Sequence, residues 1–358
     1  MQETKDLKNN YRVVSLFSGG GGLDLGFKQA GYELLWAIDN NKDAVNSYRR
    51  NVDEHIILGD VTQVDLSAIP HPDVVVGGPP CQSFSLAGNR HCDDARGRLV
   101  WRYLEIIKVL SPKAFLFENV VGLISAKDSD GNSILKGLLQ KFGELGYNVS
   151  WNLVNTADYG VPQIRKRVII VGLKSGKFVF PETTHNQGGT DGKKKWISVE
   201  EAIGDLPVAG SSNAISEHEH PTMSKLDQYI CDHVKPGGNY MDIPNEVPSV
   251  RIKRLKRDGG HTTCYGRMLP EKPSYTINTY FNRPNVGCNI HYKYNRIITL
   301  REAMRLQTFP DDYEFVSSSK QGKHLIVGNA VPPKLANVLA KQLLKYLELN
   351  SPDAPKER

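Results

Sequence analysis

A strand, a run of four glycines and a helix, in that order, constrain the fold of this chain most strongly. Val13 to Phe17 predicts a buried strand, Ser18 to Gly22 a tight turn, and Leu23 to Ala30 an amphipathic helix. This arrangement brings backbone N–H groups close to a bound cofactor. A dinucleotide-binding fingerprint needs a glycine where Asp24 or Leu25 stands, so the sequence disfavours NAD.

Further apolar segments predict parallel strands that end in acidic or glycine residues. These ends are Asp39 after Leu34 to Ile38, Asp60 after Ile56 to Leu58, Gly77 after Val74 to Val76, and Glu118 after Ala114 to Phe117. Because the carboxyl ends of parallel strands meet at one edge of an α/β sheet, we expect a pocket there. An acid at the position of Asp39 commonly holds a ribose, and the alternative is a cap of the next helix.

Cys81 follows two prolines on the loop after the strand Val74 to Val76. The prolines fix two φ angles, so the thiol is aimed before a substrate arrives, which indicates positioned chemistry. The alternative is a buried cysteine in a tight turn. Glu118, at the end of an apolar strand, is expected to be partly desolvated, with a raised pKa that lets it hold a proton near neutrality. A helix-capping acid is its alternative.

Basic residues are concentrated in three further segments. Ala87 to Arg98 lacks periodicity, which indicates either a mobile basic lid or a solvated loop. Alternation before the next strand places Gln163, Arg165 and Arg167 on one face, where a guanidinium group could bind a carbonyl oxygen or a phosphate. The run from Arg251 to Arg257 is a candidate for phosphate contacts, although such clusters are usually solvated faces.

The composition after Gly172 indicates a second, irregular domain, rich in Gly, Pro, Asn, Ser and His. Short pieces are expected at Tyr275 to Tyr280 as a strand and at Ile197 to Ile203 as a helix. Thr299 to Gln307 predicts a capped helix, and Lys334 to Leu347 a final helix that returns to the first domain. The predicted boundaries are 1–176 for the first domain, 177–316 for the second, 317–350 for the returning segment and 351–358 for a tail.

The overall composition is that of a globular protein whose formal net charge of +6 permits a polyanionic partner. The five cysteines form no C-x-x-C pair, which argues against a zinc site or a disulfide framework and favours a reducing compartment. The sequence offers neither a membrane span nor a secretory signal. We therefore expect a cytoplasmic protein without a metal.

These segments together resemble the DNA cytosine-5 methyltransferases. The likeness extends from Ser15 to about Leu347, and the segments stand in the family's order. They are Phe17-Ser-Gly-Gly-Gly-Gly, Gly59-Asp60, Pro79-Pro80-Cys81-Gln82, Glu118-Asn119-Val120, Gln163-x-Arg165-x-Arg167, Arg301-Glu302-Ala303-x-Arg305-Leu306-Gln307-x-Phe309-Pro310 and Gly328-Asn329-Ala330-Val331-Pro332-Pro333.

The resemblance implies a Rossmann-like S-adenosylmethionine-dependent methyltransferase sheet with a smaller, irregular target-recognition domain. It implies that Cys81 adds to C6 of a flipped-out cytosine, Glu118 stabilises a proton at N3, and C5 accepts the methyl group, leaving S-adenosylhomocysteine. Arg165 would contact the base or thiolate region and Arg167 the backbone, with Gln163 beside them. The implied cofactor residues are Phe17, Ser18, Gly19, Gly21, Gly22, Leu23, Asp39, Asp60, Val61, Pro80, Leu99, Asn329 and Ala330.

The expected partner is double-stranded DNA, through which the protein would associate with the nucleoid as a monomer. A cognate restriction endonuclease that acts on the same site is the other expected partner. The expected DNA contacts are Gln82, Ser85, Arg90, Arg96, Arg98, Arg251, Lys253, Arg254, Lys256 and Arg257. Three alternatives stay open: a methylase of exocyclic amines, a tRNA cytosine-5 methyltransferase, and a DNA-binding relative without catalysis. The segment Thr276 to Arg283 is another place to look for residues that read bases.

Overall fold

The computed structural model describes residues 9–80, 97–128, 130–211, 215–316 and 319–350, with Gly97 and Arg98 described by their backbone alone. The expected nucleophile and several expected DNA contacts lie outside these residues. They are Cys81, Gln82, Ser85, Arg90 and Arg96, together with the side chain of Arg98.

Nine strands are assigned within the described ranges. They are β1 (Arg12–Leu16), β2 (Glu33–Asp39), β3 (Ile56–Leu58), β4 (Val74–Gly77), β5 (Ala114–Val120), β6 (Asn148–Asn155), β7 (Lys166–Leu173), β8 (His185–Asn186) and β9 (Lys194–Lys195). Strands β1 to β7 form one sheet in the order β3-β2-β1-β4-β5-β7-β6, and β8 pairs with β9. The first five strands run parallel, whereas β7 is antiparallel to both of its neighbours.

The described part of the chain also forms ten α-helices. They are α1 (Gly22–Gln29), α2 (Lys42–Asn51), α3 (Gly97–Leu110), α4 (Ile134–Glu144), α5 (Val199–Ile203), α6 (Lys225–His233), α7 (Val250–Asp258), α8 (Leu300–Leu306), α9 (Lys320–Asn329) and α10 (Pro333–Leu349). Apolar residues of α3 and α4 pack with those of the large sheet in one continuous core. The α/β class predicted from the sequence is confirmed.

Helix α10 packs closely against α1. A Cβ atom on Gly26 would lie 2.3 Å from the Cβ of Ala336, so only glycine allows this approach. The Asn337 side chain donates to the carbonyl oxygen of Gly26, and the Tyr32 hydroxyl donates to that of Ala340. The last helix therefore covers the helix that follows the glycine turn.

The chain forms two compact units whose bounds differ from the predicted domains. The first comprises 1–155, 166–182 and 333–358, and the second comprises 156–165 and 183–332. The first unit thus reaches residue 182 instead of 176, and the return begins at Pro333 instead of residue 317. Residues 156–165, between β6 and β7, belong to the second unit, and they form hydrogen bonds with residues 184–328 of that unit.

The second unit contains α5 to α9. Most of these helices were not predicted, because apolar periodicity is weak in this part of the sequence. Sequence reasoning predicted α5 and α8 but not α6, α7 or α9. The strand expected at Tyr275 to Tyr280 is wrong. Its backbone is engaged instead by the Gln163 side chain at Ile277 and by a turn in which Asn278 accepts from the N–H of Tyr280.

No helix among the described residues combines the length and apolar character needed to cross a membrane.

Candidate active site

The turn after β1 is held in left-handed backbone conformations. Gly19 and Gly21 have φ of +54° and +83°, and Phe17 adopts +56°, which is uncommon for a residue with a Cβ. A Cβ on Gly21 would lie 2.5 Å from a methyl carbon of Val52, whereas one on Gly19 would meet open space. The turn is therefore packed on one side and open at Gly19. Ser18, Gly22 and Leu23 are buried beside it.

Asp39 at the end of β2 fixes this turn. Its Oδ2 accepts from the N–H of Gly19 at 2.8 Å, and its Oδ1 accepts from the N–H of Asn41 at the same distance. Burial raises the pKa of this carboxyl group, against the effect of both N–H donors. A carboxylate has about four lone-pair sites, so Asp39 can accept two further hydroxyl donors.

The remaining residues expected to contact the cofactor in the first unit differ in exposure. Asp60 is exposed, and one of its oxygens accepts from the N–H and the hydroxyl of Thr62, both at 2.9 Å. Pro80 is exposed, Leu99 is half-buried, and Val61 is buried in the core. Asp60 and Pro80 are therefore the exposed members of this set.

The loop that leads towards Cys81 is tied to β5. A Cβ on Gly78 would lie 2.7 Å from an oxygen of Glu118, so glycine permits the approach of the carboxylate. The buried Asn119 side chain donates to the carbonyl oxygen of Pro79 at 3.2 Å. Sequence reasoning assigned Asn119 no role. An amide at the end of an otherwise apolar strand was the available signal.

Glu118 forms an ion pair with Arg167. The arginine Nε lies 3.0 Å from Oε1, and the two side chains are 12% and 13% exposed. Burial lowers the pKa of Arg167, whereas the neighbouring carboxylate raises it. Because Val120 pairs with Arg167 in the antiparallel register, the start of β7 meets the carboxyl end of β5. Carboxylate and guanidinium thus stand at the edge of the sheet where the parallel strands end.

Gln163 and Arg165 do not share this face. Strand β7 begins at Lys166, so the predicted alternation does not extend back to them, and the expectation of one common face is wrong. Both belong to the second unit. Arg165 donates to the carbonyl oxygens of Ile277 and Gly328, each at 2.9 Å.

The end of α9 carries the last two residues expected to contact the cofactor. Asn329 is exposed and Ala330 is half-buried. Gly328, just before them, is so close to the backbone of residues 278–279 that a Cβ would lie 2.5 Å from the N of Thr279. Backbone packing in the second unit therefore sets the position of Asn329.

The expected basic run forms helix α7. Arg251, Lys253, Arg254 and Arg257 are exposed. Lys256 is half-buried and donates to the carbonyl oxygen of Ile243 and to the side chain of Asn245. Arg254 and Arg257 each form an ion pair with Asp258. Lys253 is thus an exposed cation of this helix, whereas Lys256 is engaged in the structure of the unit.

Asp24 is a buried acid that sequence reasoning treated only as a departure from a glycine pattern. It is fully buried on α1, and among the described residues neither carboxyl oxygen has a hydrogen-bond partner. Burial raises its pKa to about 7, with an opposing effect from Ser15 and a reinforcing one from Asp39. Nothing in the sequence pattern distinguished it from a helix-capping acid.

Known proteins resemble this chain over most of its length. Residues 11–345 match the family model described as C-5 cytosine-specific DNA methylase. The Type II methyltransferase M.NgoFVII of Neisseria gonorrhoeae is 37% identical over 348 residues, which cover 96% of this chain and 88% of the relative. The Type II methyltransferase M1.HphI of Haemophilus parahaemolyticus is 35% identical over 93% of this chain and 86% of its own length.

Solved structures give the same fold. A putative DNA modification methyltransferase encoded within an E. coli prophage has a TM-score of 0.64 at 25% identity, covering 94% of this chain and 99% of its own. The S. pombe Dnmt2 methyltransferase has a TM-score of 0.60 at 18% identity, covering 95% and 99%. With a family model that spans nearly the whole sequence, this chain belongs to the C-5 cytosine-specific DNA methylases, enzymes that use S-adenosylmethionine to methylate carbon 5 of cytosine in DNA.

Proposed function

We propose that this enzyme methylates a flipped-out cytosine within a specific sequence of double-stranded DNA, with Cys81 as the nucleophile. One observation carries the proposal: the Glu118–Arg167 ion pair lies against the glycine of the loop that leads into Cys81. When a cysteine thiolate adds to a pyrimidine, an acid nearby must neutralise the negative charge that develops on the ring. That acid must be held in one orientation.

The residues at the edge of the sheet fit S-adenosylmethionine. Gly19 leaves open space where a side chain would project, Asp39 retains acceptor capacity for ribose hydroxyls, and Asp60 is exposed as an acceptor for an adenine amino group. Phe17 offers a half-buried ring for stacking. When bound, the cofactor supplies an electrophilic methyl group on a sulfonium. Asn329 is proposed to contact its methionine end.

The protein's residues activate the cytosine. The Cys81 thiolate forms a bond to C6 while Glu118 holds a proton at N3, so that the electron pair displaced from the C5–C6 double bond makes C5 nucleophilic. After C5 gains the methyl group, loss of H5 as a proton, departure of the thiolate and return of the N3 proton to Glu118 restore the aromatic ring. Arg167 keeps the carboxyl group of Glu118 aimed during these steps, because its Nε contacts Oε1 directly.

This assignment changes the roles expected of the two arginines. The family resemblance implied that Arg165 contacts the base or thiolate region and Arg167 the backbone. The ion pair favours Arg167 for the place beside the catalytic acid. The side chain of Arg165 binds backbone carbonyl oxygens of the second unit.

The exposed cations of α7 support duplex DNA as the substrate. A helix that exposes Arg251 and Lys253 offers contacts to phosphate groups, which position a protein on DNA without reading its sequence. The relatives named Type II methyltransferases support a role in modification, with a restriction endonuclease that acts on the same site. We propose a monomer, since the reaction needs one flipped base at a time.

The test is to incubate the protein with unmethylated genomic DNA and S-adenosylmethionine and then sequence the DNA after bisulfite treatment. Cytosines protected in one short recurring context, and unprotected with the Cys81→Ala variant, are the expected result. Transfer of the methyl group to tRNA but not to DNA would identify an RNA enzyme. Binding of DNA with no labelling of either, and no covalent adduct with 5-fluorocytosine DNA, would identify a relative that only binds.

A further inference from the structure

Three polar side chains are buried inside the second unit, and we name Gln163, Arg165 and Gln307 the buried polar cluster. Gln163 and Gln307 have no exposed surface, and Arg165 is 2% exposed. Buried polar groups persist only where hydrogen bonds replace water. The partners of this cluster therefore indicate what it does.

The two glutamines connect three segments of chain. Gln163 accepts from the N–H of Ile277 at 2.9 Å and donates to the carbonyl oxygen of Leu306 at 3.2 Å and to the Gln307 side chain at 2.9 Å. Gln307 donates in turn to the carbonyl oxygen of Val327 at 2.7 Å. One chain of hydrogen bonds thus runs from residue 277 to residue 327.

Arg165 makes the same connection by a second route. Its two terminal nitrogens donate to the carbonyl oxygens of Ile277 and Gly328, each at 2.9 Å. Both backbone groups of Ile277 are therefore held by side chains of the segment 163–165. The planar guanidinium fixes the spacing between its two acceptors, which a flexible ammonium group would not do.

These backbone positions adjoin two segments with proposed functions. Residues 276–283 are expected to read bases, and 328–330 carry Asn329, which is expected to contact the cofactor. Because Gly328 already touches the backbone of residues 278–279, the two segments meet with no side chain between them. The buried polar cluster is bonded to both.

We propose that Gln163, Arg165 and Gln307 are positioning residues that hold the segments 276–283 and 328–330 in register, and that Arg165 does not touch the cytosine. This inference rests on the proposed function. The two neighbouring arginines then have different roles. Arg165 affects the affinity for DNA and cofactor, and Arg167 affects the rate of the reaction on the bound base.

The experiment compares Arg165→Lys with Arg167→Lys, because each keeps the charge and loses the guanidinium geometry. Arg165→Lys should weaken the binding of S-adenosylhomocysteine or DNA about tenfold, and should leave the single-turnover rate within threefold at saturation. Arg167→Lys should show the reverse, with a lower saturated rate and nearly unchanged affinities. A loss of more than a hundredfold in the saturated rate of Arg165→Lys, with unchanged affinities, would overturn the proposal.

A second readout does not depend on activity. Gln307→Met has almost the same volume but cannot hold Val327, so hydrogen exchange of the amides at 327–330 should accelerate at least tenfold, as should that of Ile277 in Gln163→Met. Unchanged exchange in both variants would contradict the proposal, and it would do so even if Arg165→Lys failed to fold. If the wild-type protein methylated no nucleic acid, the proposed function would fail while this exchange test still judged the cluster.

Discussion

Arg165 and Arg167 are separated by one residue, yet their guanidinium groups face different tasks. Arg167 begins strand β7 in the first unit and pairs with a carboxylate that is 12% exposed. Arg165 belongs to the second unit, is 2% exposed and donates to two backbone carbonyl oxygens. The difference shows that membership of one motif does not fix a role. The partners of the polar atoms do.

The same distinction applies to whole regions. Three carboxylates at the edge of the large sheet make contacts within the protein but can still accept further hydrogen bonds or are exposed to solvent. They are Asp39, Asp60 and Glu118. In the second unit, polar groups such as Gln163 and Gln307 are buried and bonded to backbone or to one another. The first region leaves polar atoms available, whereas the second uses its polar groups to fix an irregular backbone.

The largest effect should come from the acid at the sheet edge. Glu118→Gln keeps the shape of the side chain but cannot deliver a proton, so the single-turnover rate should fall about 10²- to 10⁴-fold. Affinity for S-adenosylhomocysteine should stay unchanged. Glu105→Gln on α3, whose side chain is 61% exposed in a pair with Arg102, is the matched control. A loss below fivefold for Glu118→Gln would place the acid elsewhere.

Glu302 provides the contrasting case, a buried acid whose contacts stabilise the fold. Both of its oxygens contact Arg296, at 2.7 and 2.8 Å, and although burial opposes ionisation, Arg296 holds the pKa of Glu302 below its ordinary value. Glu302→Gln would leave the Arg296 charge buried and unpaired, so the second unit should lose about 3–5 kcal/mol of stability.

Urea unfolding measures that loss, and the control removes a partner of Arg305, which lies on the same helix as Glu302. Asp205→Asn removes an exposed partner of Arg305 and should cost less than about 1 kcal/mol. Equal losses in the two variants would mean that burial of the Glu302–Arg296 pair adds nothing to its contribution.

Asp24 belongs to neither category, since it is buried and its oxygens have no partner among the described residues. Its pKa is about 7 in the folded protein and near 3.8 when unfolded, so the folded state binds the extra proton between these values. This contribution to stability is complete below pH 3.8 and is lost as pH rises towards 7, at about 1.4 kcal/mol per pH unit.

Between pH 5.5 and 7, the free energy of unfolding should therefore fall by about 2 kcal/mol more in the wild type than in Asp24→Asn. Urea titrations at both pH values measure this change. Glu33→Gln removes an exposed carboxyl group of the same unit and should leave the decline unaltered. An identical decline in Asp24→Asn and wild type would show that Asp24 is ionised throughout.

The smallest effect concerns two lysines on helix α7. Lys253→Ala removes an exposed cation and should lower the slope of log affinity against log salt by about 0.9, with equal weakening on specific and nonspecific DNA. Lys256→Ala should leave that slope unchanged, because its ammonium group is bonded to Ile243 and Asn245. Fluorescence titration at several salt concentrations measures both. Equal slopes for Lys253→Ala and wild type would remove α7 from the DNA interface.

The sequence predicted strands β2 to β5 of the large sheet well because they are apolar runs that end in or next to glycine or an acid. The capping box of Thr299 and Glu302 was also predictable, because its two residues are three positions apart in the sequence. Each side chain accepts a hydrogen bond from the backbone N–H of the other residue. The buried polar cluster was not predictable. Arg165 and Gly328 lie 163 residues apart, and no local pattern encodes a side chain that bonds to a distant carbonyl oxygen.

The covering of α1 by α10 bears on biosynthesis. A ribosome produces β1 and α1 early, but the helix that packs against Gly26 follows the whole second unit in the sequence. A nascent chain therefore cannot complete its first unit until residues 333–349 emerge, after the whole second unit has been synthesised. The same discontinuity makes α10 a natural place to divide the protein for complementation by fragments.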